Sequence, residues 1–296
     1  MQELTTNVTD TALIFEGGGM RAAFSSGVVA ALLTAEVHCN WVGGISAGSS
    51  CTANYLARDP ERAERSFVDF AAEPEFGDWR TWLRGKGMFN SEFIYEQTSL
   101  PDQALPFDWG TYLANPTQYA IGAMRCKDGE MVYFGRDNTP DLHALMKRVR
   151  ASSTMPGLMP LTQIDGDDYC DGALGPTGGF AIDAAKEAGY EKFLVVMTRA
   201  RGYRKTAPRF PRAYKAIFRR YPEVARGVLE RPDNYNRTLD ELTDLVKAGR
   251  AYVVYPDEMP ISNSERRVPV LRQVFRTGRA QAEREMPAIK EFLGIA

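Results

Sequence analysis

Apolar residues enter this chain in short runs closed by glycine, and the runs are followed by longer stretches poor in helix breakers. Ala12-Leu13-Ile14-Phe15 stops at Gly17-Gly18-Gly19, and the segment from Arg21 to Ala35 is rich in Ala, Leu and Val. That pattern predicts strand, tight turn, helix. Trp41-Val42-Gly43 leads in the same way into Ser46 and a small-residue helix over Ala47 to Ala57. Further along, Tyr119 to Met124 and Met131 to Phe134 are predicted strands joined through Lys127-Asp128-Gly129, a hairpin-type turn. Leu142 to Ala151 is a predicted helix, Tyr169-Cys170 a short strand, Phe180 to Ala188 an Ala-rich helix, and Phe193 to Met197 an unbroken apolar run suited to a buried strand. Ala251 to Tyr255 gives one more strand, and two helices, near Val268 to Thr277 and Ala280 to Leu293, close the chain.

Strand and helix therefore alternate, which predicts an α/β fold with crossover helices on both faces of a mostly parallel sheet. No internal repeat or low-complexity linker divides it. The 296 residues are read as one domain over 1–296, with a core at about 11–200 and a C-terminal part, 201–296, that adds a basic segment, a strand and helices. Asp59 to Asn115 breaks the alternation. There Phe67, Phe70, Phe76, Trp79, Trp82, Phe89, Phe93, Tyr95, Phe107 and Trp109 are interleaved with acids and glycines, as in an irregular insertion that serves as core or roofs an apolar pocket.

Composition narrows the class without naming a function. Hydrophobic residues at 44% and charged residues at 25% are those of an ordinary globular protein. Cys39, Cys51, Cys126 and Cys170 have no metal-type spacing and read as reduced packing thiols. The polar start, with Glu3 and Asp10, is unlike a secretory signal, and Asn40, Gly43, Gly44 and Gly48 interrupt the uncharged stretch from Val37 to Ala57, so no spanning helix is expected there. A cytoplasmic protein is the expectation.

The candidate chemistry lies in the glycine turns. In Gly44-Ile45-Ser46-Ala47-Gly48 the flanking glycines allow a sharp strand-to-helix turn that lifts Ser46 to a helix N-terminus. Gly17-Gly18-Gly19 directly after a strand offers backbone N–H groups to an anion. A dinucleotide fingerprint needs a further spaced glycine, which Arg21 to Phe24 lacks, and no phosphate-loop lysine follows. A serine nucleophile needs a base. The chain has two histidines, His38 and His143, and neither lies beyond Asp171 where the α/β-hydrolase order of nucleophile, acid and histidine requires one. Asp171, in Asp171-Gly172-Ala173, is the best-placed carboxylate, although an Asp-Gly pair is also an ordinary hairpin turn.

Together these segments resemble the patatin-like phospholipase family. The resemblance is carried by Gly17-Gly18-Gly19-Met20-Arg21, Gly44-Ile45-Ser46-Ala47-Gly48, Asp171-Gly172-Ala173 and the Ala-Ser-x-x-x-Pro form of Ala151-Ser152-Ser153-Thr154-Met155-Pro156. It spans about Ala12 to Thr177. It implies a three-layer α/β/α sandwich, a dyad of Ser46 and Asp171, and hydrolysis of acyl esters, commonly of lipids, without metal or cofactor. The oxyanion hole it implies draws on Gly17, Gly18, Gly19, Arg21 and Ala47. Ala22 departs from the family, which often has glycine after the basic residue. A non-catalytic binding or regulatory protein on the same scaffold is the alternative, because a fold does not guarantee turnover.

One segment is strongly one-sided in charge. The chain's net charge is −2, yet 199–221 holds nine basic residues and no acid, interleaved with Tyr203, Phe210, Tyr214, Phe218 and Tyr221. Such a stretch is either a solvated face or a peripheral contact with an anionic membrane, through Arg204, Lys205, Arg209, Arg212, Lys215, Arg219 and Arg220. No nucleic-acid module accompanies it, so nucleic acid is not an expected partner. At the inner face of a membrane the segment would bring the enzyme to its lipid.

Overall fold

The computed structural model describes residues 4–77, 81, 84–85 and 87–296. Among them, β1 (Thr11–Phe15), β2 (Trp41–Ile45), β3 (Gln118–Arg125), β4 (Met131–Phe134), β5 (Thr162–Ile164), β6 (Asp167–Asp171), β7 (Lys192–Val196) and β8 (Ala251–Val254) form one sheet. Its order is β5-β6-β3-β2-β1-β7-β8, with β4 also paired to β3. Strands β3, β2, β1, β7 and β8 run parallel, while β4, β5 and β6 join by antiparallel pairing. Parallel neighbours need crossovers, and the helices supply them.

The helices are α1 (Ala22–Thr34), α2 (Ala47–Leu56), α3 (Pro60–Phe67), α4 (Trp109–Ala114), α5 (Leu142–Ser153), α6 (Ile182–Glu187), α7 (Pro211–Ile217), α8 (Pro222–Lys247) and α9 (Val268–Leu293). Side chains alternate across a strand, so β1 sends Leu13 and Phe15 to one face and Ala12 and Ile14 to the other. The first face carries α1, α2, α3, α5 and α9; the second carries α6 and α8, whose Tyr235, Leu239, Leu242 and Leu245 cover it. The architecture is the three-layer α/β/α sandwich with a mostly parallel centre.

Several elements differ from their sequence reading. The two terminal helices are one, α9, because Gly278 is not a break. A Cβ there would overlap the Phe24 carbonyl of α1, and Gly27 meets the Phe275 carbonyl in return, so the glycine pair lets two helices cross closely. The 26-residue α8 runs through Pro232 and has no counterpart in the predicted elements. Asp171-Gly172 is not a hairpin; the hairpin between β5 and β6 turns on Asp165 (φ 51) and Gly166 (φ 87). Within the aromatic insertion Phe67, Phe70, Phe76 and Phe107 are buried in the first-face core, and Trp79 and Trp82 lie outside the described residues.

Candidate active site

The site forms where β1 and β2 end. Ser46 follows β2 directly, has φ 57 and ψ −129, and begins α2. Positive φ is strained for a residue with a Cβ. The turn can be this tight because Gly44 packs against Gly48, whose carbonyl a Cβ on Gly44 would overlap. The Ser46 hydroxyl donates to Asp171 Oδ2 at 2.7 Å, and the Ser46 amide donates to Ser152 Oγ at 2.9 Å. Thus the elbow is held at its backbone by α5 and at its side chain by β6.

Asp171 ends β6, opposite Ala123 of β3. Its Oδ1 accepts the Ala173 amide at 2.9 Å, and its own amide donates to the Thr154 carbonyl at 2.7 Å. Burial pushes the Asp171 carboxyl up from its ordinary range; Arg231, the Ala173 amide, the Ser46 hydroxyl and Lys205 pull the other way. A buried carboxyl in reach of a serine hydroxyl is a better proton acceptor than an exposed one.

The glycine turn lies across the β1–β2 edge from Ser46. A Cβ on Gly17 would sit 3.1 Å from the Ser46 Cβ, and Gly19 has φ 56, which only glycine adopts at little cost. The Gly17 amide is not free: it donates to the Gly179 carbonyl at 3.1 Å. With its N–H engaged there, Gly17 stands in the loop as a residue that shapes the turn beside Ser46. Among the described residues the amides of Gly18, Gly19 and Ala47 have no protein acceptor. Arg21 is buried behind them, with its Nε unpartnered and its guanidinium pKa lowered by burial and by Arg199.

An apolar recess opens from Ser46 on the first face. Met20, Ala47, Phe67, Phe70, Phe76 and Met146 contribute to its wall, together with Tyr95, which stands on a π-helical turn over Phe93–Gln97. Part of the aromatic insertion thus faces the recess while belonging to the core. Arg62 stands at its polar end, stacked 5.0 Å from Phe107 and hydrogen-bonded to Asn54, Ser99 Oγ and the Pro106 carbonyl.

The basic segment divides. Arg209, Arg212, Lys215, Arg219 and Arg220 are exposed on and around α7, beside Phe210 at 63% and Ile217 at 65% exposure. Arg204 pairs with Asp240. Lys205 does not share that surface: its ammonium turns inward to lie 4.2 Å from the Tyr235 ring centroid, and its pKa is lowered to about 7 by burial and by Arg231. Charge counting along the sequence cannot separate Lys205 from its neighbours. Ser152, which accepts the Ser46 amide, lies in the Ala-Ser-x-x-x-Pro segment, where no local signal in the sequence marks that contact.

Comparison with known proteins bears on the family and the fold. Residues 13–181 match the family model "Patatin-like phospholipase", and residues 221–294 match "Domain of unknown function (DUF6363)". A protein of Escherichia coli strain K12, "Uncharacterized protein YjjU", is 23% identical over 274 residues, covering 90% of this chain and 74% of that protein. Among solved structures, VipD from Legionella pneumophila is similar with a TM-score of 0.50 at 10% identity, over 94% of this chain and 67% of that one. At that identity the likeness speaks to the fold.

Proposed function

Because the chain belongs to the patatin-like phospholipase family, a family of lipid hydrolase type, we propose that it is a serine acyl hydrolase that cleaves lipid esters through an acyl-enzyme. The observation that carries this is the 2.7 Å contact between Ser46 Oγ and Asp171 Oδ2 at the mouth of the apolar recess. Asp171 takes the Ser46 proton as Oγ bonds to the ester carbonyl carbon, and the carbonyl electron pair moves onto oxygen. The amides of Gly18, Gly19 and Ala47 receive that oxyanion. Collapse breaks the bond to the leaving alcohol, which departs with the proton held by Asp171. Water then repeats the cycle on the acyl-Ser46 ester, giving the fatty acid and free serine.

The proposal takes 1–296 as one domain. Supporting it, β8 extends the central sheet beside β7, and α9 packs against α1. It also places the exposed basic residues of α7 at an anionic membrane face. Among the described residues no helix is long and apolar enough to cross a membrane, so such contact is peripheral. The ring of Phe218 approaches Gly157, between Met155 and Met159 of the recess wall, so α7 lies near the recess.

Fluorophosphonate labelling tests the chemistry, alongside turnover of a p-nitrophenyl ester. The wild-type protein labels and turns over, Ser46→Ala does neither, and Asp171→Asn labels slowly. A wild-type protein that neither labels nor hydrolyses is instead a binding protein on this scaffold.

A further inference from the structure

The recess that opens at Ser46 runs along α2. Ala47, Ser50 and Ala53 line it, and spacings of three and four residues put them on one face of the helix with Ser46 at its start. At about 1.5 Å per residue, Ala53 lies about 10 Å from Ser46 along the axis and Asn54 about 12 Å. There the character of the wall changes, because the lining at that end includes Arg62, Ser66 and Ser99.

These polar groups are tied to one another. The Arg62 guanidinium donates to Asn54 Oδ1, to Ser99 Oγ at 3.1 Å and to the Pro106 carbonyl at 3.2 Å. Asn54 Nδ2 in turn donates to Ser66 Oγ at 2.9 Å, which donates to the Ala63 carbonyl at 3.1 Å, and Ser99 Oγ donates to the Tyr95 carbonyl at 2.9 Å. Asn54, Arg62 and Ser99 are buried. Burial brings the Arg62 guanidinium down to about 10, with Asp59 opposing the fall and Arg65 adding to it, so it stays charged at neutral pH. The network spans α2, α3 and the π-helical turn, and no member can swing aside without leaving a buried partner unpaired. Such a loss costs more than burying one further methylene returns.

We infer that Arg62, held by Asn54 and Ser99, is the floor of the acyl site and sets a ceiling on acyl length at about eight to ten carbons, since a chain advancing about 1.2 Å per bond covers about 10–12 Å in that number. The inference rests on the reading of Ser46 as nucleophile and specifies its substrate class as medium-chain esters. A shorter chain leaves apolar wall uncovered. A longer one brings its methyl end against the guanidinium, where it must break the network or leave its last carbons outside the recess. Arg62 is thus a specificity-determining residue, and Ala53 fixes the width of the recess just above it.

Two measurements test the ceiling. The first follows kcat/KM for p-nitrophenyl esters of four to sixteen carbons in wild type, Ala53→Leu and Arg62→Ala. Wild type peaks at about eight to ten carbons and falls about tenfold or more by fourteen. Ala53→Leu, which fills the recess above the floor, moves the peak to shorter chains, and Arg62→Ala, which removes the floor, moves it to longer ones. Each protein is read by the position of its own peak, so loss of folded protein lowers every ester alike and leaves that position in place. The second titrates Ser46→Ala protein by calorimetry with straight-chain fatty acids of four to fourteen carbons, which needs no turnover. Affinity gains about fourfold per carbon and stops gaining at about ten. That plateau in a protein whose wild type hydrolyses no ester supports the ceiling while the hydrolase reading fails. A wild-type peak at fourteen carbons or more, a peak at one length in all three proteins, or affinity that climbs through fourteen carbons overturns the inference.

Discussion

Ser152 holds Ser46 by its backbone rather than by its side chain. Its Oγ accepts the Ser46 amide at 2.9 Å and donates to the Gly122 carbonyl at 2.6 Å, so one hydroxyl from α5 ties the nucleophile turn to β3. Both partners are buried. A buried polar group left without its partner costs about 1–3 kcal/mol, and here the amide so partnered belongs to Ser46, whose φ is 57.

Ser152→Ala is therefore expected to lower the melting temperature and to reduce kcat by about tenfold or more, with little change in KM, because positioning rather than substrate contact is lost. Ser152→Thr, which keeps the hydroxyl, recovers part of both. Steady-state kinetics and thermal denaturation check this. A kcat equal to wild type in Ser152→Ala would falsify the positioning role.

Asp171→Asn separates chemistry from geometry. An amide keeps the shape of the carboxyl but cannot accept the Ser46 proton, so kcat falls by about 10²–10⁴. Stability moves the other way. Burial raises the Asp171 pKa, so its ionised form is disfavoured in the folded state at neutral pH. Asp171→Asn is expected to melt at or above the wild-type temperature at pH 7, and a marked fall would contradict the assignment.

The same shift sets a pH dependence. Below the Asp171 pKa the carboxyl is protonated and cannot serve as base, so kcat/KM rises with pH as it ionises. Because burial raises that pKa, the midpoint lies above the ordinary value of about 3.9. For stability the sign is opposite: the contribution of protonated Asp171 is fully present below the unfolded-state pKa and is lost as pH rises through the folded-state pKa. A pH–rate profile on an uncharged ester reads the activity limb, and a midpoint at or below the ordinary value would count against Asp171 as the base.

The parts of the site legible in the sequence were those whose chemistry is local. Glycine beside Ser46, three glycines after a strand and an aspartate after Cys170 each mark a turn that a short window reveals. What short windows hide is contact at a distance. Gly278 looks like a helix break until α1 is seen against it, where close approach needs a residue without a side chain. Pro232 obscures α8, because proline removes one amide donor from a helix, yet the helix persists where Tyr235, Leu239 and Leu242 bury one face on the sheet. Lys205 sits in a basic run whose charge suggests solvent, and only the rings of Tyr203 and Tyr235 show that it turns inward.

Membrane contact through α7 is open to a direct test. Phe210 and Ile217 are exposed beside Arg209, Arg212, Lys215, Arg219 and Arg220. Each basic residue near an anionic surface contributes about 1 kcal/mol. In liposome sedimentation, binding to vesicles containing phosphatidylserine is expected, with loss at high salt. Phe210→Ser/Ile217→Ser weakens it, and Arg219→Gln/Arg220→Gln weakens it further. Equal binding to purely zwitterionic vesicles would argue against the electrostatic contact.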